Sequence, residues 1–152
     1  MDFEKRIAEL FVEIPDPKDA VGPTVGAVQS GNLLFTGLHL PISAGKVSVK
    51  GRLGVDVFPD KGRLAARYAL LEALGAARTV LGSLNKVKQI LQLQGVVAAG
   101  AEFTEHEKIF HDASQLLEDI FGKAGRHTLA AIGASSLPQG AAVSVGLILV
   151  VS

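Results

Sequence analysis

The sequence predicts an α+β fold, with helices on one face of a mixed sheet, and three observations predict it. Two segments carry apolar residues at three- and four-residue spacing, as helices buried along one side do. Several runs rich in Val, Ile and Leu, bounded by Gly, Pro or Asn, read as strands. Their order is helix, hairpin, short strand, long helix, strand, helix, strand, strand, without the regular alternation of an all-parallel sheet. A chain of 152 residues matches the ~100–200 residues usual for one core, so residues 1–152 are expected to form a single domain.

Taken in order, Asp2 can cap a short helix in which Phe3, Ile7, Leu10 and Phe11 share a face, and Pro15 and Pro17 stop it. Residues 1–20 therefore read as an N-terminal helical arm. Thr24 to Gln29 and Leu33 to Leu38 flank Ser30-Gly31-Asn32, a turn cluster that tolerates positive φ, and form a predicted hairpin. Val47 to Gly54 reads as another short strand. From Lys61 to Leu81 the stripe Ala66, Leu70, Leu74, Ala77, Leu81 predicts a long amphipathic helix, whose alanines let it lie close to a sheet. Val87 to Val97 alternates in part and reads as a strand. Thr104 and Glu107 have capping-box spacing ahead of a helix with Ile109, Ala113, Leu116, Leu117 and Ile120 inward and Gly122 as a left-handed cap. Two strands, His127 to Ser136 and Ala141 to Val151, close the chain around Leu137-Pro138-Gln139-Gly140.

Composition removes several function classes. Lys+Arg and Asp+Glu balance at 15 each, which argues against nucleic acid as a partner, because phosphate binding rests on an excess of positive charge. One Tyr and no Trp leave few platforms for stacking bases. The absence of cysteine excludes disulfides, thiolate catalysis and cysteine-ligated zinc. The first 15 residues lack the features of a signal peptide, so the expected location is cytoplasmic. Ala141 to Val151 falls short of the about 20 residues of a membrane helix, so no membrane role is expected. A mean hydropathy of +0.35 on a chain without net charge points to apolar surface covered by further copies of itself.

No complete catalytic constellation emerges. His106 and His111 fall on different helix faces, so no metal site is expected. His39 ends a strand where it can reach a cleft, and equally reads as an ordinary strand-end residue. Ser135-Ser136 lacks the Gly-x-Ser-x-Gly context of an activated nucleophile. The glycines form neither a phosphate loop nor a dinucleotide fingerprint, so no cofactor is expected. The neighbours Asp56 and Asp60, like Glu118 and Asp119, read as solvated surface carboxylates.

Gly31-Asn32-Leu33-Leu34-Phe35, Ala65-Ala66-Arg67, Gly82-x-Leu84-x-x-Val87-x-x-Ile90 and Gly133-x-x-x-Leu137-Pro138, in this order over essentially the whole chain, resemble the Rid/YjgF family. The resemblance implies a chorismate-mutase-like fold with two main helices on the sheet, here preceded by an extra short helix, and homotrimers with ligand clefts between subunits. It also implies hydrolysis of reactive enamines and imines to keto acids and ammonia, and some members carry older endoribonuclease or translation-inhibitor labels.

The arginine that grips the substrate carboxylate in active members lies eight residues before Leu-Pro, where this chain has Leu129. The family's glutamate on the last strand corresponds to Ser144 and its tyrosine after Gly-Pro to Thr24, while the backbone near Ala131 helps position ligand or water. The resemblance thus leads to a small-molecule binder, with Thr24, Leu129, Ala131 and Ser144 in the cleft and ordinary deaminase activity lost or altered. Three alternatives stay open. One is an active deaminase in which another donor such as Arg126 holds the anion; Arg126 stands three residues from Leu129, so on a regular strand it needs a bulge to share the cleft. The second is altered chemistry with His39 or His111 as proton carrier, and the third is a ribonuclease or translation-inhibitor role.

Overall fold

A computed structural model of the chain describes residues 2–17 and 22–152. Helix α1, Phe3–Glu9, begins at Asp2, whose carboxylate accepts the Lys5 N–H at 2.9 Å. It buries Phe3 and Ile7, with the Phe3 ring edge-on to Phe121 at 4.9 Å. Leu10 ends the helix ahead of the prolines, and the positive φ of Phe11 (55°) turns that ring outward, leaving it 94% exposed. Phe11 therefore leaves the face that the spacing assigned it. Residues 18–20 of the expected arm lie outside the described residues.

The hairpin forms as β1, Ala27–Ser30, and β2, Leu33–Thr36, joined at Gly31 with φ 59°. The strand expected over Val47 to Gly54 does not form. Instead β3, Ile42–Ser43, pairs with β4, Lys46–Val47, and beyond it only single bridges occur, at Lys50 and Leu53. Gly51 (φ 117°) and Gly54 (φ 80°) bend the backbone out of strand geometry, and Asp56 holds the bend by accepting the Arg52 N–H at 2.5 Å.

Helix α2 spans Pro59–Leu81, with proline in its first turn and Gly82 at φ 82° as left-handed cap. The whole predicted stripe is buried, and Ala65, Ala66, Ala69, Ala73, Ala76 and Ala77 bring the helix close to the sheet. Strand β5, Val87–Ala98, contains two register shifts, between Val87 and Gln89 and between Ile90 and Gln92. These bulges let Val87, Ile90 and Leu93, three residues apart, all enter the core.

The capping box at Thr104 and Glu107 is a further correction. Glu105 occupies the cap position without a side-chain cap bond, its carboxylate held instead by Lys108 at 2.7 Å. The single helix expected there divides into α3, His106–Ile109, and α4, His111–Phe121, where Phe110 leaves helical geometry. Its ring is fully buried against Gly95, where any added Cβ would overlap it. Gly122 has positive φ (61°), as expected, but a ψ of −133° lies outside the left-handed helical region, and a 3-10 turn follows to Gly125.

Strands β6, Thr128–Ala134, and β7, Val143–Val151, complete a sheet of order β1-β2-β7-β5-β6. β5 and β6 are parallel and the other pairs antiparallel, so the sheet is mixed. The core lies between one sheet face and the helices: Leu34, Leu93, Val145, Leu147 and Leu149 meet Leu70, Leu74, Leu117 and Ile120. By strand alternation Val28, Phe35 and Ile132 lie on the other face, exposed at 53%, 46% and 62%.

Candidate functional site

The larger of two relevant clefts, about 770 Å³, opens between α2, the segment Thr24–Gly26, the exit of β2 and the β3–β4 turn. Thr24 and His39 both line it. His39 is fixed twice. Its backbone exchanges bonds with Val145 at 2.8 and 2.9 Å, and its Nε2 lies 3.0 Å from the Gly26 carbonyl. A carbonyl only accepts, so Nε2 carries the hydrogen and Nδ1 is the acceptor of the neutral ring.

The floor holds a residue that sequence reasoning missed. Glu72 of α2 is 6% exposed, lines the cleft, and has no hydrogen bond or ion pair among the described residues. Burial raises its carboxyl above the ordinary carboxylate pKa, because desolvation disfavours the charged form. A signal for it existed: Glu72 follows Ala69 by three residues and precedes Ala76 by four, on a helix face otherwise made of small apolar residues.

The second depression, about 370 Å³, lies where α4 meets the start of β6 and is lined by His111, Ser114, Glu118, Arg126, His127 and Leu129 among others. Leu129 pairs with Leu93 and is half-buried against the core. Arg126 borders the same depression because it precedes β6, where strand alternation does not apply; no bulge is required. His127 enters the strand with both ring nitrogens satisfied. Nδ1 donates to the Gly125 carbonyl at 2.6 Å, and Nε2 accepts from the Ser114 hydroxyl at 2.9 Å. Sequence reasoning missed this tie as well, its partners being 13 residues apart on different elements.

The remaining candidates line neither cleft. Ala131 pairs with Gly95 and packs toward the core. Ser144 pairs with Val96 and alternates with Val143 and Val145, so it lies on the face away from the helices. Its buried hydroxyl lacks a hydrogen-bond partner among the described residues. Within one copy, then, Thr24 and His39 stand together, His111 and Leu129 stand together, and the two clefts share no lining residue. Among the described residues no three His, Asp or Glu side chains come together as metal ligands, and no helix is long and apolar enough to cross a membrane.

A mixed sheet backed by helices on one face, with open clefts at the strand ends, defines a protein of chorismate-mutase-like architecture. The chain belongs to the YjgF/chorismate mutase-like, putative endoribonuclease family, whose profile matches residues 4–150. It is similar to Protein TCP17 of Trypanosoma cruzi, 31% identical over 140 residues, covering 91% of this chain and 88% of that protein. The structure of Atu1372 from Agrobacterium tumefaciens, of unknown function, is 33% identical with a TM-score of 0.90, covering 99% of this chain and 93% of that one. A putative endoribonuclease from Shewanella oneidensis MR-1 is 31% identical with a TM-score of 0.93, covering 99% and 100%.

Proposed function

We propose that this protein binds a small metabolite in clefts completed between the subunits of a homotrimer, with imine and enamine deaminase activity lost or altered. The observation that carries the reading is Leu129: an apolar, half-buried side chain bordering a depression at the position where the resemblance puts a carboxylate-gripping arginine. Leucine neither donates a hydrogen bond nor offsets a charge. The exposed apolar face carrying Val28, Phe35 and Ile132 supports assembly, since such a surface is covered when copies meet. Assembly would also bring the Thr24–His39 half of one copy to the His111–Leu129 half of the next, with Ala131 and Ser144 in the sheets between.

A charge-assisted bond to a carboxylate contributes about 1.5–3 kcal/mol, equivalent to roughly 10- to 100-fold in rate or affinity. Ammonia and keto acid release from small imino acids should therefore run at least about 10-fold slower than in an arginine-bearing family member, assayed side by side. Equal rates would overturn the reading. They would favour the second one, an active deaminase that uses Arg126, which has its own support in bordering the same depression. For the ribonuclease role the balanced charge offers nothing comparable.

A further inference from the structure

Glu72 of α2 lines the larger cleft. The walls around it are mostly apolar, with Val25, Leu38, Leu40 and Ile42 on one side and Pro15 and Pro17 of the N-terminal arm on the other. The arm lies directly on α2, because Gly75 has no Cβ to collide with the Pro15 carbonyl. Across the floor, the position of an added Gly26 Cβ would stand 3.2 Å from Ala76 Cβ and 3.5 Å from His39 Cε1, so the imidazole faces the helix one turn beyond Glu72. Besides Glu72, the titratable groups lining the cleft among the described residues are Asp16 on the arm, His39 at the strand exit and Lys46 on the β3–β4 hairpin. Asp16 and Lys46 are exposed and of opposite sign. Among the described residues, Glu72 is the largely buried charged group of the cleft, and its carboxylate makes no hydrogen bond or ion pair there.

From this geometry we infer that the cleft takes a small organic cation, a primary amine on an apolar body, whose ammonium group meets Glu72. The inference rests on the reading above that this cleft is a small-molecule site, and it names the ligand class. An ammonium group supplies the donors and the charge that a desolvated carboxylate lacks, and His39 Nδ1 is a further acceptor in the neutral ring. The apolar walls receive the rest of the ligand, and about 770 Å³ suits a molecule of metabolite size.

Binding should be linked to protons. Burial holds the free carboxyl above its ordinary pKa, so an arriving ammonium ion favours ionisation and expels the proton. Affinity for the amine therefore rises with pH until the carboxyl of the free protein is fully ionised. For a neutral ligand it stays flat.

The test uses the full chain and two probes of the same shape, phenethylamine and phenethyl alcohol, titrated by NMR across pH. The amine should bind at least about 10-fold tighter than the alcohol near neutral pH, a factor that corresponds to one charge-assisted bond. Glu72→Gln should abolish that preference and its pH dependence while leaving alcohol binding unchanged, and Asp16→Asn should leave both intact. Equal affinity for the two probes overturns the inference but keeps the cleft as a ligand site. A preference that survives Glu72→Gln overturns it too. Failure of both probes to bind overturns the inference together with the reading of this cleft as a small-molecule site.

Discussion

Leu129→Arg should raise the rate of ammonia release from small imino acids by about 10- to 100-fold over the native chain. The substitution suits its surroundings. Leu129 stands second in β6, half-buried against the core, with its depression opening toward α4. An arginine stem can retain that packing while the planar guanidinium reaches the depression, where Glu118 stands as a counter-charge. The carboxylate is bonded to the imine carbon that water attacks, so its new partner should position the reacting centre as well as bind the substrate, and the gain should appear in kcat/KM. Steady-state kinetics of both proteins on one imino acid would show the gain. A variant that folds, gains affinity for the keto acid product and turns over no faster would place the deficit at Ser144 and Thr24, where the resemblance puts glutamate and tyrosine.

Phe110→Ala should destabilise the fold by about 3–5 kcal/mol, the usual result of removing a fully buried aromatic ring. Phe110 has 0% exposure and fills the break between α3 and α4, with its ring against Gly95. Gly95 pairs with Ala131 on one side and Val145 on the other, so this contact sets the distance between the helical layer and three strands. For a chain of this size the loss corresponds to a Tm lower by roughly 10 °C. Thermal and urea unfolding would measure it. A change below about 1 kcal/mol would mean that the ring is not packed as described.

Much of the fold was legible because the core is patterned. The α2 stripe, the hairpin around Gly31 and the closing strands each follow from apolar spacing and turn chemistry. What misled was local chemistry decided by tertiary contacts. Thr104 and Glu107 have capping-box spacing, yet the helix starts later, with Glu105 held by Lys108 and Phe110 drawn onto Gly95. Phe11 fits a helical face, but the chain turns before reaching it. The partial alternation in β5 is explained by its two bulges, which no periodicity encodes.

The site was less legible than the fold for the same reason. Thr24, His39, His111 and Leu129 border clefts, but Glu72 and the Ser114–His127 tie depend on burial and on approaches between distant elements. Ser144 came from the resemblance alone, and its buried hydroxyl lies on the sheet face away from the helices.

The proposed absence of a carboxylate grip can be measured by comparing 2-oxobutanoate with its neutral amide in binding to the native chain. The two differ in charge and little in shape. Without a charge-gripping group the two compounds should bind with equal affinity, within about threefold, and Arg126→Ala should change neither. A preference for the carboxylate of about 10-fold or more, lost in Arg126→Ala, would contradict that absence and assign the grip to Arg126.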